Sequence, residues 1–96
     1  MTRIKIKKLV WDEWNIEHIK KHNVIQSEVE EISKNIIIHK KVKLGRYSIF
    51  GRVSSRILTV IINRKASGIY YPVTARDAAK KERRKLYEKE KRIKIS

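Results

Sequence analysis

His18 and His22 stand four residues apart, a spacing that puts both on one helix face with Asn15 and Ile19. Such a pair has two chemical uses. It can supply half of a metal site, with Glu17 beside it, or a general acid and base that titrate near neutrality. A metal needs a third ligand and a supporting shell, and His39 is the one other histidine in a chain without cysteine. No metal site and no cofactor are therefore expected. Packing or hydrogen bonding at a helix–sheet seam would use the same two histidines without chemistry.

A second constellation is cationic. Arg76, Lys80, Arg83 and Tyr87 follow one another at spacings of four, three and four, which makes a stripe on one helix face. Ala79, Leu86 and Ile93 form the apolar stripe next to it. A charged stripe beside an apolar one occurs in any amphipathic helix. Arg76 stands out because it falls where a strand hands over to that helix. Arg46 and Arg52 mark the two ends of another strand and point to the same side. Several guanidiniums on one sheet face suit a phosphate, because each presents a planar fork of donors. Tyr70 and Tyr71 fit core or edge packing better than base stacking.

These residues need elements to hold them. Residues 4–10 read as a short strand, residues 12–22 as a helix capped by Asp12, and a second helix starts near Ser27. Ile36 to Ile38 begins a strand or its approach. Arg46–Val53 alternates as a strand should, Ile57–Asn63 reads as a central strand, and Ile69–Ala75 follows a turn at Ala66-Ser67-Gly68. Pro72 implies an edge or a bulge in that last strand. Asp77 then caps a helix running to about Lys91. The order βααβββα implies an α+β domain, mainly antiparallel and packed by helices. One domain over residues 1–96 is expected, with 1–8 and 92–96 loosely ordered.

Charge narrows the partner. Lys and Arg total 25 against 10 Asp and Glu, a formal charge of +15, while 41% of residues are hydrophobic. That hydrophobic share is ordinary for a folded domain. Residues 32–76 hold ten basic residues and no acid. A stretch of one sign favours a polyphosphate or an acidic protein. The lack of cysteine excludes disulfides, a thiol nucleophile and cysteine-based zinc. No apolar run approaches the roughly 20 residues of a membrane span, and the start lacks a signal-peptide core. A cytoplasmic protein without membrane contact is expected.

The motifs Trp11-Asp12-Glu13-Trp14-Asn15-Ile16-Glu17-His18-Ile19, His22-Asn23-Val24 and Glu28-Val29-Glu30-Glu31 resemble the amino-terminal half of BrnT-type toxins. Gly45-Arg46-Tyr47, Gly51-Arg52, Leu58-Thr59-Val60 and Val73-Thr74-Ala75-Arg76-Asp77-Ala78 resemble their second half, as do Lys81-Glu82-Arg83-Arg84 and Tyr87. The likeness runs over residues 9–90 and marks a divergent subgroup. Asn23 replaces a glycine usual in the family. The resemblance implies a RelE-like fold and a toxin of a type II toxin–antitoxin pair. It further implies metal-independent cleavage of RNA, free or on the ribosome, which inhibits translation. A cognate antitoxin, BrnA-like or another small protein, would be its partner.

On that reading the RNA's own 2′-hydroxyl attacks, and the protein supplies proton transfer and cations. Arg76 is the first choice for the phosphate clamp and Arg52 the second. Tyr87, His22 and His18 are the proton-transfer candidates. Arg46, Lys80, Arg83 and Lys21 would bind RNA. A non-catalytic RNA- or ribosome-binding module of the same fold is the alternative.

Overall fold

The acid-free stretch becomes most of the sheet, while every acid but Asp77, the last residue of the final strand, stays in a helix or at its cap. The computed structural model describes residues 4–43 and 45–95, with side chains as far as Lys91. In chain order the elements are β1 (Lys8–Leu9), α1 (Glu13–Lys20), α2 (Gln26–Lys34), β2 (Ile38–Lys43), β3 (Arg46–Val53), β4 (Arg56–Ala66), β5 (Ile69–Asp77) and α3 (Lys80–Ile95). They form an α+β arrangement around one mixed five-stranded sheet, ordered β1-β5-β4-β3-β2. Strands β2 to β5 make an antiparallel meander. β1 joins β5 in parallel, through Lys8↔Ile69 and Leu9↔Tyr70.

The meander has one strand more than the sequence order implied. Ile36 to Ile38, read as the beginning of a strand or its approach, leads into β2 at Ile38–Lys43. Its Lys40, Lys41, Val42 and Lys43 are exposed, and its ladder to β3 holds it rather than a buried face. Lysines are the usual means by which an edge strand avoids unwanted pairing. The amino-terminal strand shrinks to Lys8–Leu9. Residues 4–8 make contacts of their own. Ile4 and Ile6 pack on the core, and the Lys7 and Lys8 N–H groups donate to the Gly68 carbonyl at 2.8 and 3.1 Å. Residues 1–3 and 96 lie outside the described residues, and the backbone of 92–95 continues α3.

Alternation gives the sheet two unlike faces. Ile49 and Val53 of β3 and Leu58, Val60 and Ile62 of β4 enter one core with Ile19, Val24, Val29 and Ile32 from α1, α2 and their link. Phe50 and Ile57 point the other way and meet Ala78 and Leu86. Helices therefore cover both faces. Phe50 and Ile57 leave apolar surface that needs its own cover, and α3 supplies it.

Local chemistry fixes the element ends. Asp12 accepts from the Asn15 N–H at 2.9 Å, and Asn15 Oδ1 accepts from the Asp12 N–H at 2.9 Å. Buried Asn15 also donates from Nδ2 to the carbonyls of Val10 and Pro72, which ties α1 to β5. Asn23 has φ +60°, the left-handed backbone that asparagine tolerates. The register steps from Ile61↔Thr74 to Ile62↔Pro72, so Val73 is an extra residue and Pro72 sits at a bulge. Asp77 ends β5 and does not cap α3. Glu82 instead reaches back to accept from the Ala79 N–H at 2.7 Å, the returning half of a capping box.

Candidate nucleic-acid interface

Helix α3 lies on its sheet face as a ridge between two clefts. Its buried side is Leu86. At 100° per residue, Glu82 and Lys85 fall on one flank and Lys80, Arg83, Arg84 and Tyr87 on the other. The first flank closes a cleft of about 400 Å³ against β2, Ser48, Phe50, Ile61 and Arg76. The second closes a cleft of about 680 Å³ against Ser55, Arg56, Ile57 and Asp77.

The centre of the first cleft is an ion pair. Arg76 Nη1 donates to Glu82 Oε1 at 2.9 Å and Nη2 to Oε2 at 3.1 Å, and Nη1 also reaches the Asp77 carbonyl at 3.1 Å. A guanidinium carries five N–H donors. Among the described residues three are used, which leaves Nε–H and the second Nη2 hydrogen as a side-on fork. Glu82 also accepts from Thr59 Oγ1 at 2.9 Å. Burial by itself raises the Glu82 carboxyl, but Arg76, the Ala79 N–H and the Thr59 hydroxyl together hold it below its ordinary value. Glu82 is thus an ionised carboxylate beside a guanidinium with donors to spare. Lys40, Lys41 and Lys85 stand on the walls around it.

Arg52 is held differently. Its Nε and Nη2 donate to Glu90 at 2.6 and 2.8 Å, so its side-on fork is taken, and its guanidinium carbon lies 5.6 Å from the Tyr87 ring centre. The hydrogen bonds that Arg52 donates to Glu90 push the Arg52 pKa further up. This pair straps the middle of α3 to β3. Arg56 is a third paired arginine. It bonds Glu28 at 3.0 Å, Asp77 at 3.1 Å and the Asn23 carbonyl at 2.8 Å, which joins α2, β4 and β5.

The other residues singled out in the sequence do not all converge. Lys80, Arg83 and Tyr87 share the second cleft, across the α3 ridge from Arg76. Arg46, paired with Asn63 at the far end of β3, lines neither cleft. His18 belongs to α1, Lys21 is its C-cap and His22 lies in the turn beyond, and α1 packs on the opposite sheet face through Ile19. His18 stacks on Trp14, with ring centres 4.7 Å apart and planes 7° from parallel, and His22 meets His18 edge-on at 5.6 Å. These histidines cannot exchange protons with a group bound at Arg76. Tyr70 is core and meets Tyr47 edge-on, while the Tyr71 hydroxyl donates to Asp12.

Sequence reasoning missed Glu82, which was quoted only inside a motif. One signal marked it: an acid three residues beyond the strand–helix junction, isolated among cations. Lys40, Lys41 and Lys85 gave no such signal, because the sheet register alone brings β2 beside α3. Among the described residues no three His, Asp or Glu side chains gather as a metal site would require. No described helix is long and apolar enough to cross a membrane. Comparison with family models, with curated proteins and with solved structures returned no match.

Proposed function

We propose that this chain is the toxin of a type II toxin–antitoxin pair, RelE-like in fold and BrnT-like in motif. It acts as a cytoplasmic, metal-independent endoribonuclease that inhibits translation by cutting RNA. One observation carries the reading: Arg76, with a free donor fork, sits beside the ionised Glu82 in an open cleft walled by lysines. Cleavage of this kind joins the 2′-oxygen to phosphorus and breaks the bond from phosphorus to the 5′-oxygen. Glu82 takes the 2′-hydroxyl proton. The Arg76 fork stabilises the extra negative charge on the phosphorane, and a wall ammonium such as Lys85 protonates the leaving 5′-oxygen. Glu82 takes the place that the sequence offered to Tyr87, His22 and His18. Among the described residues lining the cleft Glu82 is the one acid, so the phosphate's surroundings stay cationic.

The antitoxin enters from charge and from the resemblance. The acid-free stretch 32–76 and a net +15 match a small protein with an acidic segment. A second reading has one observation in its favour. Arg76 and Arg52 are both already bonded to carboxylates, as in a scaffold that binds RNA or the ribosome without cutting it. Expression of the chain alone decides between them. Arrested growth with cut RNA, and cutting in vitro that survives EDTA, support the nuclease; RNA retention with intact RNA supports the binding module.

A further inference from the structure

We infer that the cleft on the Lys80 flank of α3 is a separate grip for the phosphate backbone of single-stranded RNA, apart from the place where the bond is cut. The inference rests on the RNA reading above. It starts from an inequality among the cations. Arg52, Arg56 and Arg76 each bond a carboxylate. Lys80, Arg83 and Arg84 have no ion pair among the described residues, and Arg83 makes only a long bond of 3.4 Å to the Ala78 carbonyl. Three free cations at positions i, i+3 and i+4 therefore face one cleft of about 680 Å³.

The one acid there is already answered. Asp77 accepts from Arg56 Nε and Nη2 at 3.3 and 3.1 Å, so it does not cancel the free cations. Lys80 also opens α3, which adds the positive end of the helix dipole on the same side. At the far end of the cleft Tyr87 is 51% exposed, and its ring is backed by the Arg52 guanidinium. An exposed ring beside a line of cations fits a strand whose phosphates follow the cations and whose base stacks on the ring. A helix is about 10 Å across with its side chains, so the two clefts hold different phosphates of one strand that crosses the ridge. A cationic ligand would meet only like charge there.

The test measures binding and cutting together, with a uridine oligonucleotide of about ten nucleotides as probe. Arg83→Ala/Arg84→Ala is compared with wild type and with Arg84→Lys, and thermal melting confirms that each is folded. The double variant should bind about tenfold or more weaker. Its slope of log affinity against log salt should fall by about 0.7 for each phosphate released. Its single-turnover rate at saturating RNA should match wild type, so that KM changes and kcat does not. Arg84→Lys should keep the slope.

Unchanged affinity and slope in the double variant, with wild type binding and cutting, would overturn the grip and leave the nuclease standing. The opposite result, lost affinity in the variant with a wild type that never cuts, supports the grip and removes the nuclease. Inorganic phosphate at equal phosphate concentration should compete poorly. Full competition would mark a single-phosphate pocket and overturn the inference, as would an oligo-glutamate peptide that binds the cleft more tightly than the RNA.

Discussion

The two flanks of α3 use cations in opposite ways. On one, Arg76 is locked onto Glu82 and the pair does structural duty as well, since Glu82 caps the helix and bonds Thr59. On the other, Lys80, Arg83 and Arg84 have no carboxylate among the described residues, and Arg83 makes only its long bond to the Ala78 carbonyl. A fixed guanidinium with a spare fork suits charge that develops at one point. Free, exposed cations suit a polyanion that arrives as a whole, with an affinity that salt weakens. The same residue type thus serves precision on one side and attraction on the other, and what separates the two is whether α3 supplies an acid within reach.

The most damaging change to this division is Glu82→Gln. It removes the proposed proton acceptor and loosens the cap and the Arg76 pair at once. Cleavage should fall by roughly a hundred- to ten-thousand-fold, the range for losing a general base. Single-turnover assays with saturating RNA check this, and binding of the oligonucleotide should persist because the other flank is untouched.

Arg56→Ala probes a cation whose role is structural. It leaves Glu28, only 17% exposed at its side chain, without its cation. The expected loss is about 1–3 kcal/mol. In a domain of this size each kcal/mol lowers the melting temperature by about 4–8 °C. Arg83→Ala/Arg84→Ala in the same melting experiment should show no comparable loss, which contrasts the paired with the unpaired set directly.

Acid gives a smaller and graded effect. The folded-state pKa of Glu82 lies below its ordinary value, so the stability it adds is complete above the usual carboxylate range, about 4.3. It is lost as pH falls through the lowered value. Asp12 is lowered too, first by the Asn15 N–H, so unfolding below pH ~4 has more than one source. The difference between wild type and Glu82→Gln isolates the share of Glu82. That difference should be constant near neutrality and shrink only in strong acid.

His18→Ala should change least. His18 stacks on a Trp14 that is 57% exposed, on the sheet face away from α3. Its loss should leave the rate of RNA cleavage at the wild-type level in the same single-turnover assay. A pH–rate profile that flattens in this variant would place proton transfer on α1 and contradict the assignment to Glu82.

Where the sequence was legible, local chemistry was the reason. Asp12 and Asn15 cap α1 within four residues of each other, Pro72 announces a bulge, the alternation in β3 is visible, and the apolar run of β4 marks a strand buried on both faces. β2 was opaque for the converse reason: an exposed, lysine-rich edge strand carries no periodic apolar signal. Of the candidate site, Arg76 could be picked from its place at a strand–helix junction, although Asp77 continues the strand and does not cap the helix. Its partner could not be foreseen as such. Whether a glutamate in the first turn of α3 caps the helix, salt-bridges an arginine or faces solvent depends on how α3 turns onto the sheet. Spacing also grouped Arg76 with Lys80, Arg83 and Tyr87 as one stripe, but Arg76 precedes the helix and its side chain leaves on the other flank.

The central claim is that bond breaking belongs to the Arg76 flank and strand holding to the Lys80 flank. Its most direct test is a single-turnover cleavage series on one RNA, in EDTA, with wild type, Arg76→Lys and Arg83→Ala/Arg84→Ala at several RNA concentrations. Arg76→Lys keeps the charge and loses the side-on fork, so the saturated rate should fall by about a hundred- to a thousand-fold with KM little changed. The double variant should show the reverse, a raised KM at an unchanged saturated rate. An Arg76→Lys protein that cuts as fast as wild type, or a double variant whose saturated rate collapses, would contradict the account.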